Sequence, residues 1–120
     1  MITDAAFDEL QDALYDLISY IGIGTGTTPA TSSDTAIESE IYPDGANREA
    51  LSSKTKVGNR KTAYIININK TECVGEDISE MALCNAAVAG DIYSHDVVSP
   101  IQKSANHALV IQLNVVMRGL

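Results

Sequence analysis

The sequence predicts a mainly β protein: an antiparallel β-sandwich or barrel with an N-terminal amphipathic helix and a second short helix. Three observations carry this reading. From residue 47 onward the chain breaks into four or five short runs of β-prone residues with turn residues between them. The best run, Ala108–Met117, alternates apolar and other residues along its length. Helical spacing is strong only near the N-terminus. The expected organisation is a helical segment over 1–19 and a single β domain over 20–120, with a Gly/Thr-rich loop at 22–33.

The first element is expected over residues 4–19. Phe7, Leu10, Leu14 and Leu17 recur at intervals of three and four, and Ala6, Ala13 and Ile18 widen the stripe. Thr3 or Asp4 can cap its start. Asp8, Asp12 and Asp16 form a like-charged row at i,i+4 on the other face, which weakens an isolated helix. The helix is therefore expected to lean on something: its own domain, another copy, or a partner. Phe7, Leu10, Leu14 and Leu17 are the candidate docking residues.

At Ser19 the pattern changes. Tyr20, Ile21 and Ile23 are β-prone, and Gly22-Ile23-Gly24-Thr25-Gly26-Thr27-Thr28-Pro29 then precludes a regular element beyond Gly24. Gly22, Gly24, Gly26 and Pro29 are the candidates for shaping this loop, and positive φ is the expected need for glycine there. The loop is either an assembly arm or a closure of the domain's own end. Thr35-Ala36-Ile37-Glu38 fits a capping box and predicts a short helix with Ile37 and Ile41 on one face. Pro43-Asp44-Gly45 is a turn.

Residues 47–57 make a weak polar strand, and 62–69 a stronger one with Tyr64, Ile66 and Ile68 on one face. Gly75-Glu76-Asp77 turns the chain into a strand at Ile78–Cys84, and Asn85–Gly90 links to another over Asp91–Val98, which Pro100 should end. In the last strand Leu109, Ile111, Leu113, Val115 and Met117 share one face, and Val110 and Val116 suggest partial burial of the other.

The chain has 120 residues, 45% of them apolar but only six aromatic, so one modest core of Ile, Val, Leu and Ala is expected. The net charge is −8, which disfavours nucleic acid and anionic membrane as partners. The charge is uneven: residues 1–46 hold nine acids and no base, while 48–70 hold six of the eight bases. Such asymmetry suits acidic-to-basic contact between copies; an unpartnered solvated surface is the alternative. Nothing resembles a signal peptide or a membrane span. Cys73 and Cys84 make no CxxC or zinc set, and two reduced thiols are expected.

Chemical motifs are weak. The GxGxG spacing lacks the strand–helix context and the Lys of a phosphate loop. His95 and His107 suggest no triad. His95, Asp96 and Asp91 could hold a metal on composition alone. No catalytic, cofactor-binding or metal-binding residue is assigned. Asp91, His95, Asp96 and His107 gathered in one pocket would revive an enzymatic reading.

Residues 20–41 run YIGIGTGTTPATSSDTAIESEI. This segment resembles the "iGtGttpa…dtaL..Ei" segment of small structural proteins of tailed bacteriophages, commonly found among tail-fibre and baseplate genes. The later family pattern has counterparts in Thr62–Asn69, Ile78–Leu83, Gly90–Tyr93, Pro100–Lys103 and Leu109–Met117. The likeness covers about residues 18–117, with Ala82-Leu83-Cys84 standing where the family usually has Gly-Leu-Phe. It implies a virion protein with no enzymatic activity; no cofactor or metal is expected, and synthesis is expected in the host cytoplasm. Its implied partners are other copies of itself, as a trimer or higher ring, and neighbouring tail, baseplate or capsid proteins. The expected place is the tail, baseplate or fibre base. The alternatives are a capsid decoration or turret protein on the head, and a small carbohydrate- or peptide-binding β domain.

Overall fold

The computed structural model describes residues 1–58 and 60–117. One helix, α1 (Asp4–Leu17), precedes eight strands: β1 (Tyr20–Gly24), β2 (Glu40–Ile41), β3 (Glu49–Ala50), β4 (Ser53–Lys56), β5 (Lys61–Ile68), β6 (Asp77–Cys84), β7 (Ile92–Gln102) and β8 (Leu109–Val116). They form two antiparallel sheets, as in a β-sandwich. The first runs β2-β1-β6-β7, with β3 also pairing β1; the second runs β4-β5-β8.

The core lies between the sheets. Ile21 and Ile23 of β1 and Ile78, Met81 and Leu83 of β6 meet Tyr64, Ile66 and Ile68 of β5 and Ile111 of β8. Each fully buried side chain of this size contributes about 1.5–3 kcal/mol, which compensates for the scarcity of aromatic residues. Alternation sets the faces: Tyr64, Ile66 and Ile68 point inward and pair in register with Leu113, Ile111 and Leu109.

Helix α1 extends this core. The Thr3 hydroxyl accepts the Ala6 amide at 3.3 Å, so Thr3 is the N-cap. Phe7 is buried, and Leu14 and the following Ile18 pack on the core. Leu10 and Leu17, also expected to dock, stay 47% and 48% exposed, because the contact stripe is narrower than the apolar one. The Gln11 amide donates to the Thr62 hydroxyl (3.0 Å) and the Tyr15 hydroxyl to the Lys54 carbonyl (3.1 Å). Lys54 donates back to the Tyr15 and Ile18 carbonyls. Lys56 pairs with Asp12 and Arg60 with Asp4, while the Arg60 guanidinium stacks over Phe7 at 4.4 Å. Acidic helix and basic hairpin thus meet within one chain.

Four local expectations are corrected. No second helix forms at 35–41; the chain makes bends and turns there and enters β2. The amides that a helix would use bond elsewhere, as described below. Pro100 does not end β7, which runs to Gln102: the strand is at a sheet edge and its pairing with β6 shifts register between Ile78 and Glu80, where a missing N–H is tolerated. Val110 and Val116 are not covered; they are 61% and 41% exposed on the outer face of the second sheet. Gly22, Gly24 and Gly26 do not have positive φ; Gly45, Gly58, Gly75 and Gly90 do.

Candidate functional site: a buried carboxylate under the Gly/Thr-rich loop

The outer face of the first sheet is built around missing side chains. Gly22 and Gly24 pair with Ala82 and Glu80, so all four lie on that face. Gly26 continues the alternation just past the strand. A Cβ at Gly24 would collide with the Glu80 carboxylate and lie 2.6 Å from the Ser39 carbonyl oxygen. A Cβ at Gly22 would strike Ile37, and one at Gly26 the Glu80 carboxyl. The alternating glycines make a trough in which Ile37 and Glu80 are seated. Ile37 closes it over Ala82 and Cys84, beside Tyr20 and Ile92.

Glu80 has no exposed surface. One of its oxygens accepts the amides of Gly26 (2.7 Å) and Ser39 (3.0 Å). The other accepts the Glu38 amide (2.8 Å) and lies 3.0 Å from Nε2 of His95. Both ends of the loop, at 26 and at 38–39, are thereby fastened to one side chain of β6. Ser79 adds a hydroxyl bond to the Gly26 carbonyl at 2.6 Å. This capture of the Glu38 and Ser39 amides is why the capping-box helix does not form: a carboxylate in a dry site binds them more strongly than carbonyls one turn back.

His95 stands on the neighbouring β7, opposite Ala82. Its Nδ1 lies 2.7 Å from Asp34 of the loop, and its side chain is only 7% exposed. Asp34 also accepts the Thr31 amide and hydroxyl, each at 2.9 Å. Those Thr31 bonds, with His95, hold the Asp34 carboxyl at about 2. Burial pushes the Glu80 carboxyl up, but the Ser39, Glu38 and Gly26 amides and His95 outweigh it, leaving it below the ordinary glutamate range. Burial likewise opposes charge on His95, and the bonds to Asp34 and Glu80 outweigh it, so its value is raised. With both carboxyls ionised and the ring charged, it donates from both nitrogens. Below the raised His95 value the unit is carboxylate–imidazolium–carboxylate.

A second polar anchor lies beside it. Arg48 donates to both oxygens of Glu40, at 2.6 and 3.1 Å, and to the carbonyls of Ala86 and Ala89, at 3.0 and 2.6 Å. It joins β2 to the link between β6 and β7.

A half-open groove of about 310 Å³ runs along the clasp, lined by Thr31, Ser32, Asp34, Tyr93, Ser94 and His95 among others. Among the described residues Tyr93 is the one Phe, Tyr or Trp that lines it. Both ring nitrogens of His95 are engaged by carboxylates, those of Asp34 and Glu80, so the arrangement orders the loop.

The sequence candidates fall as follows. His95 is central, but its partners are Asp34 and Glu80, to neither of which sequence reasoning assigned a site role. Asp96 pairs with Met81 across the strands, on the opposite face from His95, and His107 makes an exposed turn contact with Ser104 at 2.9 Å. The revived enzymatic constellation is not assembled. Among the described residues no group of three or more His, Cys, Asp or Glu side chains could hold a metal ion. Cys73 and Cys84 are both free thiols, and burial pushes both up. Pro29 is exposed in the loop and makes no part of the clasp. The signal that could have revealed the trough is the two-residue spacing of Gly22, Gly24 and Gly26, which places them on one face of an extended chain.

Comparison with known protein families and with curated proteins returns no match to this chain. Among the described residues no helix is long and apolar enough to cross a membrane.

Proposed function

We propose that this chain is a non-enzymatic structural protein of a tailed virus, self-associating at the tail, baseplate or fibre base. The reading begins from the resemblance of residues 18–117 to small phage structural proteins. The observation that carries it further is the Glu80–His95–Asp34 clasp. The most elaborate polar site in the described chain spends every strong donor and acceptor on holding its own loop. A Thr/Ser-rich loop fastened to a sheet at both ends is the type of surface that assembles by shape and hydrogen bonding. Among the described residues the groove beside it has Tyr93 alone of Phe, Tyr and Trp, a poor platform for sugar stacking, which weighs against the carbohydrate-binding alternative.

Gold-labelled antibody against the protein, viewed on purified source virions by electron microscopy, tests this. Label at the tail or baseplate is the expected result. Label over the head moves the protein to the capsid decoration role. No label on intact or dissociated virions overturns the virion reading.

A further inference from the structure

We propose that β8 is a two-fold contact through which two copies of this chain join edge to edge into one continuous sheet. The inference gives a specific contact to the self-association in the reading above. It rests on that part alone, since a virion location could fail with the contact intact.

Sheet edges offer unpaired N–H and C=O groups, and stable proteins protect them with short strands, Lys, Pro, bulges or covering elements. Three sides of this sandwich are protected in those ways. β2 and β3 are two residues each. β4 carries Lys54 and Lys56, both engaged with α1. β7 carries Asp96 and Pro100 and has shifted pairing with β6. Among the described residues the fourth edge, β8, has none of them. It contains no charge, Gly or Pro, in a chain of net charge −8, and pairs with β5 over Leu109–Val116 without a register shift. Among the described residues its other side pairs with no strand.

The occupant follows from the sequence of the strand. Residues 109–117, Leu-Val-Ile-Gln-Leu-Asn-Val-Val-Met, are nearly palindromic about Leu113. An antiparallel partner centred on Leu113 keeps inward residues opposite inward residues, as the two-residue period requires. Val110 then faces Val116 of the second copy, and Gln112 faces its Asn114, on the outer surface. Ile111 faces Val115, and Leu113 faces its own equivalent, on the inner surface. Every pair is like with like, which is what an isologous two-fold contact requires. The inner residues also have something to gain: Leu109, Leu113, Val115 and Met117 are only half-buried in the single chain. An uncharged, self-matching edge fits a second copy better than a charged peptide from another protein.

The test is the sedimentation-equilibrium mass of the full chain and two double variants. Gln112 and Asn114 are exposed, so both variants leave the single-chain core intact. Q112K/N114K places Lys opposite Lys at both outer pairs, and should halve the wild-type assembly mass. Q112E/N114K places Glu opposite Lys in the same register, and should restore the wild-type mass at low salt. A second register or a different interface would not distinguish these two variants in this way. Circular dichroism of each variant checks that it is folded. A monomeric wild type overturns the proposal and leaves the edge to a strand from another protein. An unchanged mass in folded Q112K/N114K overturns it equally.

Discussion

The ring of His95 lies 3.0 Å from the carboxylate of Glu80, a residue with no exposed surface, and its other nitrogen reaches Asp34 at 2.7 Å. Strand, neighbouring strand and loop are joined through this one imidazole ring. A buried charged group is costly unless its partners are complete, so removing any member should cost more than one ordinary hydrogen bond.

Glu80→Gln keeps the shape but removes the charge, and its amide nitrogen would face backbone donors. The expected loss is about 3 kcal/mol of unfolding free energy, read from urea titration. A loss under about 1 kcal/mol, the size of one ordinary hydrogen bond, would mean that Glu80 does not carry the loop.

Stability should depend on pH with a defined sign. His95 has a folded value raised above 6.5, so its contribution is complete below 6.5 and fades as pH rises through the raised value. Asp34 and Glu80 have folded values below 3.8 and 4.5, so theirs is complete above 4.5 and fades as pH falls through the lowered values. The clasp should therefore be strongest between about pH 4.5 and 6.5. Urea midpoints across pH check this, and His95→Gln should remove the decline on the alkaline side.

The glycines separate two causes. Gly24 has ordinary backbone but no room for a Cβ, whereas Gly45 has φ +86° and open space around it. Gly24→Ala should cost about 1–3 kcal/mol through collision with Glu80 and the Ser39 carbonyl. Gly45→Ala should cost about 1–2 kcal/mol through backbone strain alone. The distinguishing measurement is amide hydrogen exchange: only Gly24→Ala should expose the Glu38 and Ser39 amides.

On α1, Leu14→Ala should destabilise by about 2 kcal/mol because Leu14 packs on the core. Leu10→Ala should stay within about 0.5 kcal/mol, as expected for an exposed position. Thermal melts of the two variants compare them directly.

Much of the architecture was legible in local pattern. The stripe of Phe7 and Leu14, the Thr3 cap, and the alternation in β5, β6 and β8 all depend on neighbours in sequence, and the β-sandwich follows from them. The site was less legible because its bonds are long-range. His95 is 15 residues from Glu80 and 61 from Asp34. The capping box at Thr35–Glu38 was a sound local signal overridden by a carboxylate 42 residues further on. Pro100 misled because a breaker in a central strand is tolerated at an edge. The glycine spacing held the trough in plain view, but its meaning required the knowledge that Glu80 faces Gly24.

The most direct test is nitrogen-detected magnetic resonance of the His95 ring across pH. A clasp of two carboxylates around an imidazolium predicts that both ring nitrogens remain protonated at pH 6.5, with a titration midpoint above that value. A bare ring nitrogen at pH 6.5, or a midpoint at or below it, would contradict the account and return a free base to the groove.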